Sequence, residues 1–103
     1  MRVSRARFEE AVKAAIDAVP EPFQSYLEEV EFVVAERSGK GLFGRYEGAG
    51  ALAPGGFPAR ITIYQRAHED ACDSWEALVE EVRRTILHEI GHHFHMAEEE
   101  LPY

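Results

Sequence analysis

The first part of the chain carries apolar residues at steps of three and four, the repeat of one face of an α-helix. Over residues 4–19 this stripe consists of Phe8, Val12, Ala15, Ile16 and Val19. Ser4 is a plausible N-cap, and Pro20 cannot continue the helix. Pro22 is tolerated in a first helical turn, so a short second helix is predicted to follow. Its apolar residues are Phe23, Tyr26 and Leu27.

From Val30 the apolar period changes to two, which predicts a strand buried mainly on one face. Val30, Phe32 and Val34 alternate with Glu31, Val33 and Ala35. Seven of the eight glycines then fall between Gly39 and Gly56, which predicts a loop or irregular hairpin with a weak strand at 42–47. This segment is either a flexible cover beside an active face or a plain surface connection.

A second clear strand is predicted from Arg60 to Arg66, with Ile61 and Ile63 on one face. The polar run at 68–70 follows it. His, Glu and Asp are residue types that bind metals, but their position after a strand favours an exposed, solvated turn.

The longest periodic segment is a last helix, predicted to begin at Asp73. Asp73 and Glu76 have the spacing of a capping box, and Ser74 is an alternative N-cap. The apolar stripe of this helix consists of Trp75, Leu78, Val79, Val82, Ile86, Ile90 and Phe94. With His88 set at 0°, the stripe lies between about 80° and 240° around the axis, and His92 lies at about 40°. The two histidines therefore lie apart from the core stripe, in one column with Glu81 and Thr85.

The column ends in the sequence His88-Glu89-Ile90-Gly91-His92, which is a His-Glu-x-x-His motif. Imidazoles four residues apart on a helix can point to one place, as two ligands of a tetrahedral zinc ion must. Glu89 lies about 100° away from His88, so its carboxylate can accept a proton from an activated water without ligating the metal. The motif therefore predicts the active face of a zinc-dependent hydrolase. Solvated histidines at a helix end are the alternative.

Composition narrows the classes of partner. The chain has 103 residues, enough for one domain over 1–103, and a formal net charge of −8. Such a charge argues against a nucleic-acid partner, because binding a phosphate backbone needs clustered cations. No apolar run reaches the 18 residues of a membrane span. Cys72 is the single cysteine, is expected to be a small packed side chain, and fits a reducing cytoplasm.

With these elements placed, nearly the whole chain resembles the small bacterial minimal zincins, described as possible zinc metallopeptidases. The segments that carry the resemblance are Phe8-Glu9-Glu10-Ala11-Val12, Glu31-Phe32-Val33-Val34, Tyr46-Glu47-Gly48, Arg60-Ile61-Thr62-Ile63-Tyr64 and, most strongly, the run from Glu80 to Phe94. The resemblance implies a zincin-like α+β domain. In it, a sheet of two to three strands packs against N-terminal helices and a long C-terminal helix that carries the motif.

The resemblance also implies the metal ligands. The pattern is similar to His-Glu-x-x-His-x-x-Gly-x-x-Asp or -His, which makes His88 and His92 ligands and places the third at Glu98. His95 stands where the pattern has the glycine that turns the chain back toward the metal. Glu99 and then His95 are the alternative third ligands.

The expected activity is hydrolysis of a peptide or protein substrate with Zn²⁺ as cofactor and Glu89 as general base. A non-catalytic zinc-binding or interaction module on the same fold is the first alternative. A metal-dependent RNA hydrolase is the second, because the bacterial ribosomal-RNA maturation endonucleases share the ligand spacing. Glu98 in place of a histidine, Glu89 after the first histidine and the acidic charge count against it.

Overall fold

The structure is a computed structural model, and it describes residues 1–48 and 59–93. Within those ranges the chain forms four helices and three strands, and the fold is α+β. In chain order they are α1 (Arg5–Asp17), α2 (Glu21–Leu27), β1 (Val30–Ala35), β2 (Gly44–Glu47), β3 (Ala59–Tyr64), α3 (Gln65–Ala71) and α4 (Trp75–His93). Among these, no helix is long and apolar enough to cross a membrane.

The three described strands form one sheet in which β3 is central, with strand order β1-β3-β2. β1 runs parallel to β3, with Val30 opposite Ala59, and β2 runs antiparallel to it, with Gly44 opposite Ile63. Ile61 and Ile63 of this central strand are fully buried in the core, together with residues of α1 and α4. The segment predicted as a weak strand is thus part of the sheet, as β2.

The core lies between the sheet and the two longer helices. From α1 it takes Phe8, Ala11, Val12 and Ala15, and from α4 it takes Leu78, Val82, Ile86, Leu87 and Ile90. Most of the two stripes predicted from helical periodicity is therefore buried, while Ile16, Trp75 and Val79 pack partly against the core. Phe94, predicted in the second stripe, lies outside the described residues. In β1 only Val30 is buried, while Phe32 and Val34 pack partly against the core.

Two serines begin the longer helices. The Arg7 backbone N–H donates to the Ser4 hydroxyl at 3.0 Å, so Ser4 is the N-cap of α1, as predicted. The Ala77 backbone N–H donates to the Ser74 hydroxyl at 3.1 Å. Ser74, the alternative in the prediction, is therefore the N-cap of α4. The prediction that the helix begins at Asp73 is wrong by one residue. Cys72 is buried, as expected of a small packed side chain.

The prediction of a solvated turn at 68–70 is wrong. The chain passes from β3 directly into α3, which turns His68 and Glu69 inward and leaves them 0% and 2% exposed. The Glu69 carboxylate is satisfied there, because it accepts hydrogen bonds from the Val3 backbone N–H at 2.8 Å and the Gln65 amide at 3.1 Å. Because these hydrogen bonds replace those to water, the Glu69 carboxylate can be buried.

Candidate metal centre

The His-Glu-x-x-His motif lies on the last two turns of α4. The His88 and His92 rings meet edge to face, with centroids 5.2 Å apart and planes at 74°. One nitrogen of each histidine and one carboxylate oxygen of Glu89 all lie within 4.8 Å of one another. Both histidines are half-buried, and Glu89 is 8% exposed. In the described part of the chain, this is the group of three side chains that can hold a metal ion.

The donor set fits zinc. Zinc binds imidazole nitrogen at about 2.0–2.1 Å, so two such ligands on one ion are at most about 4.2 Å apart. The observed limit of 4.8 Å for the group is close to that spacing. Two imidazoles occur together in a common type of catalytic zinc site, which adds a third protein ligand and keeps one position for water.

Packing of α4 fixes the direction in which the motif points. Val82, Ile86 and Ile90 are buried in the core one turn apart. Because helix positions three and four apart share a face, this buried row holds the rotation of the helix. His88 and His92 therefore lie on the neighbouring, partly accessible face, as the angles on the helical wheel predict.

β2 approaches α4 closely at Gly44. A Cβ added to Gly44 would lie 2.6 Å from Thr85 Cγ2 and 3.3 Å from Glu89 Cγ. The first distance is shorter than any ordinary carbon contact, so only glycine allows the strand to come this near the helix. The close approach places the backbone of β2 beside the side chain of Glu89.

A groove of about 670 Å³ begins at the metal centre and runs along α4 toward its N-terminus. It is lined by Leu42, Phe43, Gly44, Glu81, Arg84, Thr85, His88 and Glu89. Leu42 and Phe43 form an apolar rim and remain 40% and 37% exposed. Glu81 and Arg84 add opposite charges on the helix side, so the groove combines apolar surface with polar groups that can orient a ligand.

A buried histidine lies behind this groove. His68 Nδ1 is 2.8 Å from the Tyr64 backbone oxygen, and His68 Nε2 is 2.8 Å from Thr85 Oγ1. Burial lowers the pKa of His68, although the Tyr64 carbonyl and the Glu81 charge act in the opposite direction. His68 is therefore neutral at physiological pH and links α3 to α4 at Thr85.

Three of the predicted site residues, His88, Glu89 and His92, come together in the structure. The predicted third ligand Glu98 and its alternatives Glu99 and His95 lie outside the described residues. Most of the glycine-rich segment, from 49 to 58, also lies outside them.

Sequence reasoning did not connect His68, Gly44 or Phe43 with the site. The sequence held one indication of these contacts: Thr85, which touches both His68 and Gly44, lies in the same helical column as His88. That column gives no indication of which distant residue contacts it.

Comparison with known proteins agrees with this geometry. Residues 10–103 match the model of the family described as zincin-like metallopeptidases, so the chain belongs to that family. The chain is also similar to a solved conserved hypothetical protein of T. thermophilus, with 27% identity and a TM-score of 0.56. The similarity covers 87% of this chain and 92% of that one. Comparison with curated proteins gives no match.

Proposed function

We propose that this protein is a zinc metallopeptidase whose active site, formed by His88, Glu89 and His92, hydrolyses the peptide bonds of its substrate. The observation that carries the proposal is the convergence of their ligand atoms within 4.8 Å at one end of an open groove. Membership of the zincin-like family supports zinc as the metal and a peptide as the substrate. We take residues 1–103 as one domain. Its net charge of −8 supports a function that does not involve nucleic acid, and its single cysteine fits the reducing cytoplasm. We propose no membrane partner.

The proposed roles follow from the chemistry of the side chains. His88 and His92 would hold zinc through their imidazole nitrogens, and Glu98 is proposed as the third ligand. Zinc bound there would act as a Lewis acid on the substrate carbonyl and make water acidic enough to lose a proton near pH 7. Glu89 takes that proton as general base and returns it to the leaving amine nitrogen. Its side chain is well placed, because it is mostly buried yet borders the groove.

The groove between β2 and α4 is the proposed place for the substrate. A peptide lying along it would have its scissile carbonyl near His88 and its apolar side chains against Leu42 and Phe43. Backbone groups of β2 run beside Glu89, as the close contact at Gly44 requires. An extended peptide can therefore meet both strand backbone and catalytic carboxylate along one line.

Zinc content tests the metal centre directly. The protein is equilibrated with low-micromolar zinc and desalted, and zinc per chain is measured by elemental analysis. We expect one zinc in the wild type and in Glu89→Gln, and loss of zinc in His88→Ala and His92→Ala. Glu98→Ala and Glu99→Ala, compared side by side, identify the third ligand. Wild-type protein that retains no zinc would overturn the proposal.

Peptide cleavage then separates a peptidase from a zinc-binding module that does not catalyse. A mixture of fluorogenic peptides is incubated with the wild type, with Glu89→Gln and with Glu76→Gln, a carboxylate exchanged at the far end of the same helix. We expect Glu89→Gln to lose activity by about 10²-fold or more while keeping zinc, and Glu76→Gln to keep both. Equal rates for the wild type and Glu89→Gln would favour the non-catalytic module. The departure from the family pattern at His95, where a glycine is expected, agrees with that alternative.

A further inference from the structure

We propose that His68 is a positioning residue for the metal centre, holding through Thr85 the turn of α4 that carries His88 and Glu89. The relevance to catalysis rests on the proposed function of that turn, whereas the mechanical role rests on contacts within the protein. His68 is fully buried, although histidine is rarely placed where no water reaches it. Both of its ring nitrogens are within hydrogen-bond distance of a partner, as burial demands.

The protons of this group can be assigned from its partners. The Tyr64 carbonyl can only accept, so Nδ1 of His68 carries the hydrogen. Because burial keeps the ring neutral, Nε2 has no hydrogen and must accept one from the Thr85 hydroxyl at 2.8 Å. Thr85 Oγ1 also lies 3.1 Å from the Glu81 backbone oxygen, but its single hydrogen cannot serve both. The hydroxyl therefore bonds across to α3 instead of back to its own helix.

The ring itself is held in place by aromatic neighbours. Phe43 meets it edge to face at a centroid distance of 5.0 Å and an angle of 88°, and Phe8 lies on another side at 5.8 Å. Phe43 also lines the groove. With its ring packed and both nitrogens engaged, His68 offers Thr85 one fixed acceptor position.

Thr85 transmits this constraint to the metal centre. It precedes His88 by three residues and Glu89 by four, so all three lie on the same side of α4. Its Cγ2 faces Gly44 across the narrow gap to β2, while its hydroxyl bonds to α3. One side chain thus holds the motif turn against both a strand and a helix. Loss of the hydroxyl would leave Nε2 buried without a partner and release one of these two restraints.

Two substitutions at Thr85 separate the hydrogen bond from packing. Thr85→Val keeps the branched shape and removes the hydroxyl, whereas Thr85→Ser keeps the hydroxyl. Thr62→Val is the matched control, since Thr62 is a mostly buried threonine of β3 that is not bonded to His68. Three quantities are measured: the ¹⁵N shifts of the His68 ring, amide hydrogen exchange over residues 86–92 in metal-free protein, and zinc affinity.

We expect the wild type and Thr85→Ser to show the Nδ1–H tautomer with Nε2 as an acceptor, and Thr85→Val to shift the Nε2 resonance. Exchange over 86–92 should accelerate about tenfold in Thr85→Val, and zinc affinity should fall about tenfold, the lower end for groups that orient metal ligands. Thr85→Ser should stay within about twofold of wild type, and so should Thr62→Val.

Unchanged exchange and unchanged zinc affinity in Thr85→Val would overturn the positioning role, as would an Nε2–H tautomer in the wild type. The outcome for the proposed function is separate. If the wild type binds no zinc, the proposed function fails, and exchange in the metal-free protein still decides whether His68 and Thr85 hold the turn.

Discussion

At the scale of single residues, Gly44 determines how closely β2 can approach α4, the helix that carries the candidate metal centre. Replacement by alanine would place a Cβ 2.6 Å from Thr85 Cγ2. Thr85 cannot rotate away cheaply, because a β-branched side chain has few rotamers in a helix and its hydroxyl is bonded to His68. The strand must therefore shift away from α4.

We predict that Gly44→Ala lowers the free energy of unfolding by about 1–3 kcal/mol, the usual cost of overpacking. Zinc affinity should fall as well, because the clash is with Thr85, in the turn of α4 that leads to His88. Gly39→Ala is the control, since a Cβ there would meet nothing within 4 Å. Urea unfolding of both variants, monitored by circular dichroism, measures the difference. Equal stability of the two variants would show that the contact at Gly44 relaxes without cost.

Also at this scale, the positions of the three motif residues on the helix could be predicted from the sequence, but the residues that surround them could not. His88, Glu89 and His92 follow from helical spacing alone, because positions one and four apart have fixed angles around the axis. His68 could not be assigned in the same way. Its burial depends on Thr85, 17 residues along the chain, and that of its neighbour Glu69 depends on Val3, 66 residues before it. A polar run after a strand gives no sign of such distant partners.

At the scale of elements, periodicity predicted both longer helices with the correct buried faces, because each buries one continuous stripe. β1 was also predicted as a strand, but it is less buried than its alternating pattern indicates because it lies at the edge of the described sheet. Phe32 and Val34 face the core but remain partly accessible. For β2 the sequence left a loop and an irregular hairpin open, since Gly44–Glu47 is short and has Tyr46 as its one large, partly apolar side chain; the structure has the strand, paired antiparallel with β3.

The N-cap of α4 provides a test at the same scale. Ser74 accepts the Ala77 backbone N–H, which would otherwise lack a partner in the first helical turn. We predict that Ser74→Ala lowers the free energy of unfolding by about 1 kcal/mol, and that Ser74→Asp restores it. Ser25→Ala, an exposed serine within α2, should change stability by less than about 0.5 kcal/mol.

Thermal unfolding of the three variants measures these differences. Zinc affinity should be nearly unchanged in Ser74→Ala, since the cap lies at the opposite end of α4 from His88 and His92. A large loss of zinc affinity would show that the first turn and the metal centre are coupled along the whole helix.

At the scale of the whole molecule, a buried carboxylate joins the N-terminal segment to α3. Burial by itself would raise the pKa of Glu69, but hydrogen bonds from Val3 and Gln65 and the charges of Arg2 and Arg66 outweigh it, so the pKa is lowered. The two arginine nitrogens lie 3.6 and 3.5 Å from the carboxylate. The ionised form is therefore favoured in the folded protein.

This lowered pKa makes stability depend on pH. Because Glu69 is more acidic in the folded state, its contribution is present above its unfolded pKa of 4.5 and is lost as pH falls through the folded value. The lowered pKa of His68 acts at higher pH. Below 6.5 the unfolded chain takes up a proton that the buried ring resists, despite the nearby Glu81 charge, so stability begins to fall there.

We predict that the free energy of unfolding of metal-free protein declines from about pH 6.5 downward and declines further below about pH 4.5. Glu69→Gln removes the second contribution alone. It should be less stable than wild type at pH 7, because a buried amide cannot replace the ionised acceptor of Val3 and the partner of Arg66. The difference from wild type should then shrink as pH falls below 4.5, because the Glu69 carboxylate of the unfolded chain takes up its proton there before that of the folded protein does.

Urea unfolding in steps of half a pH unit measures both curves, with Glu9→Gln as an exposed carboxylate control of nearly constant effect. A difference between wild type and Glu69→Gln that stays the same down to pH 3 would mean that the folded protein does not favour the ionised form. The tie between the N-terminal segment and α3 would then depend on shape and hydrogen bonding alone, which an amide can supply as well as a carboxylate.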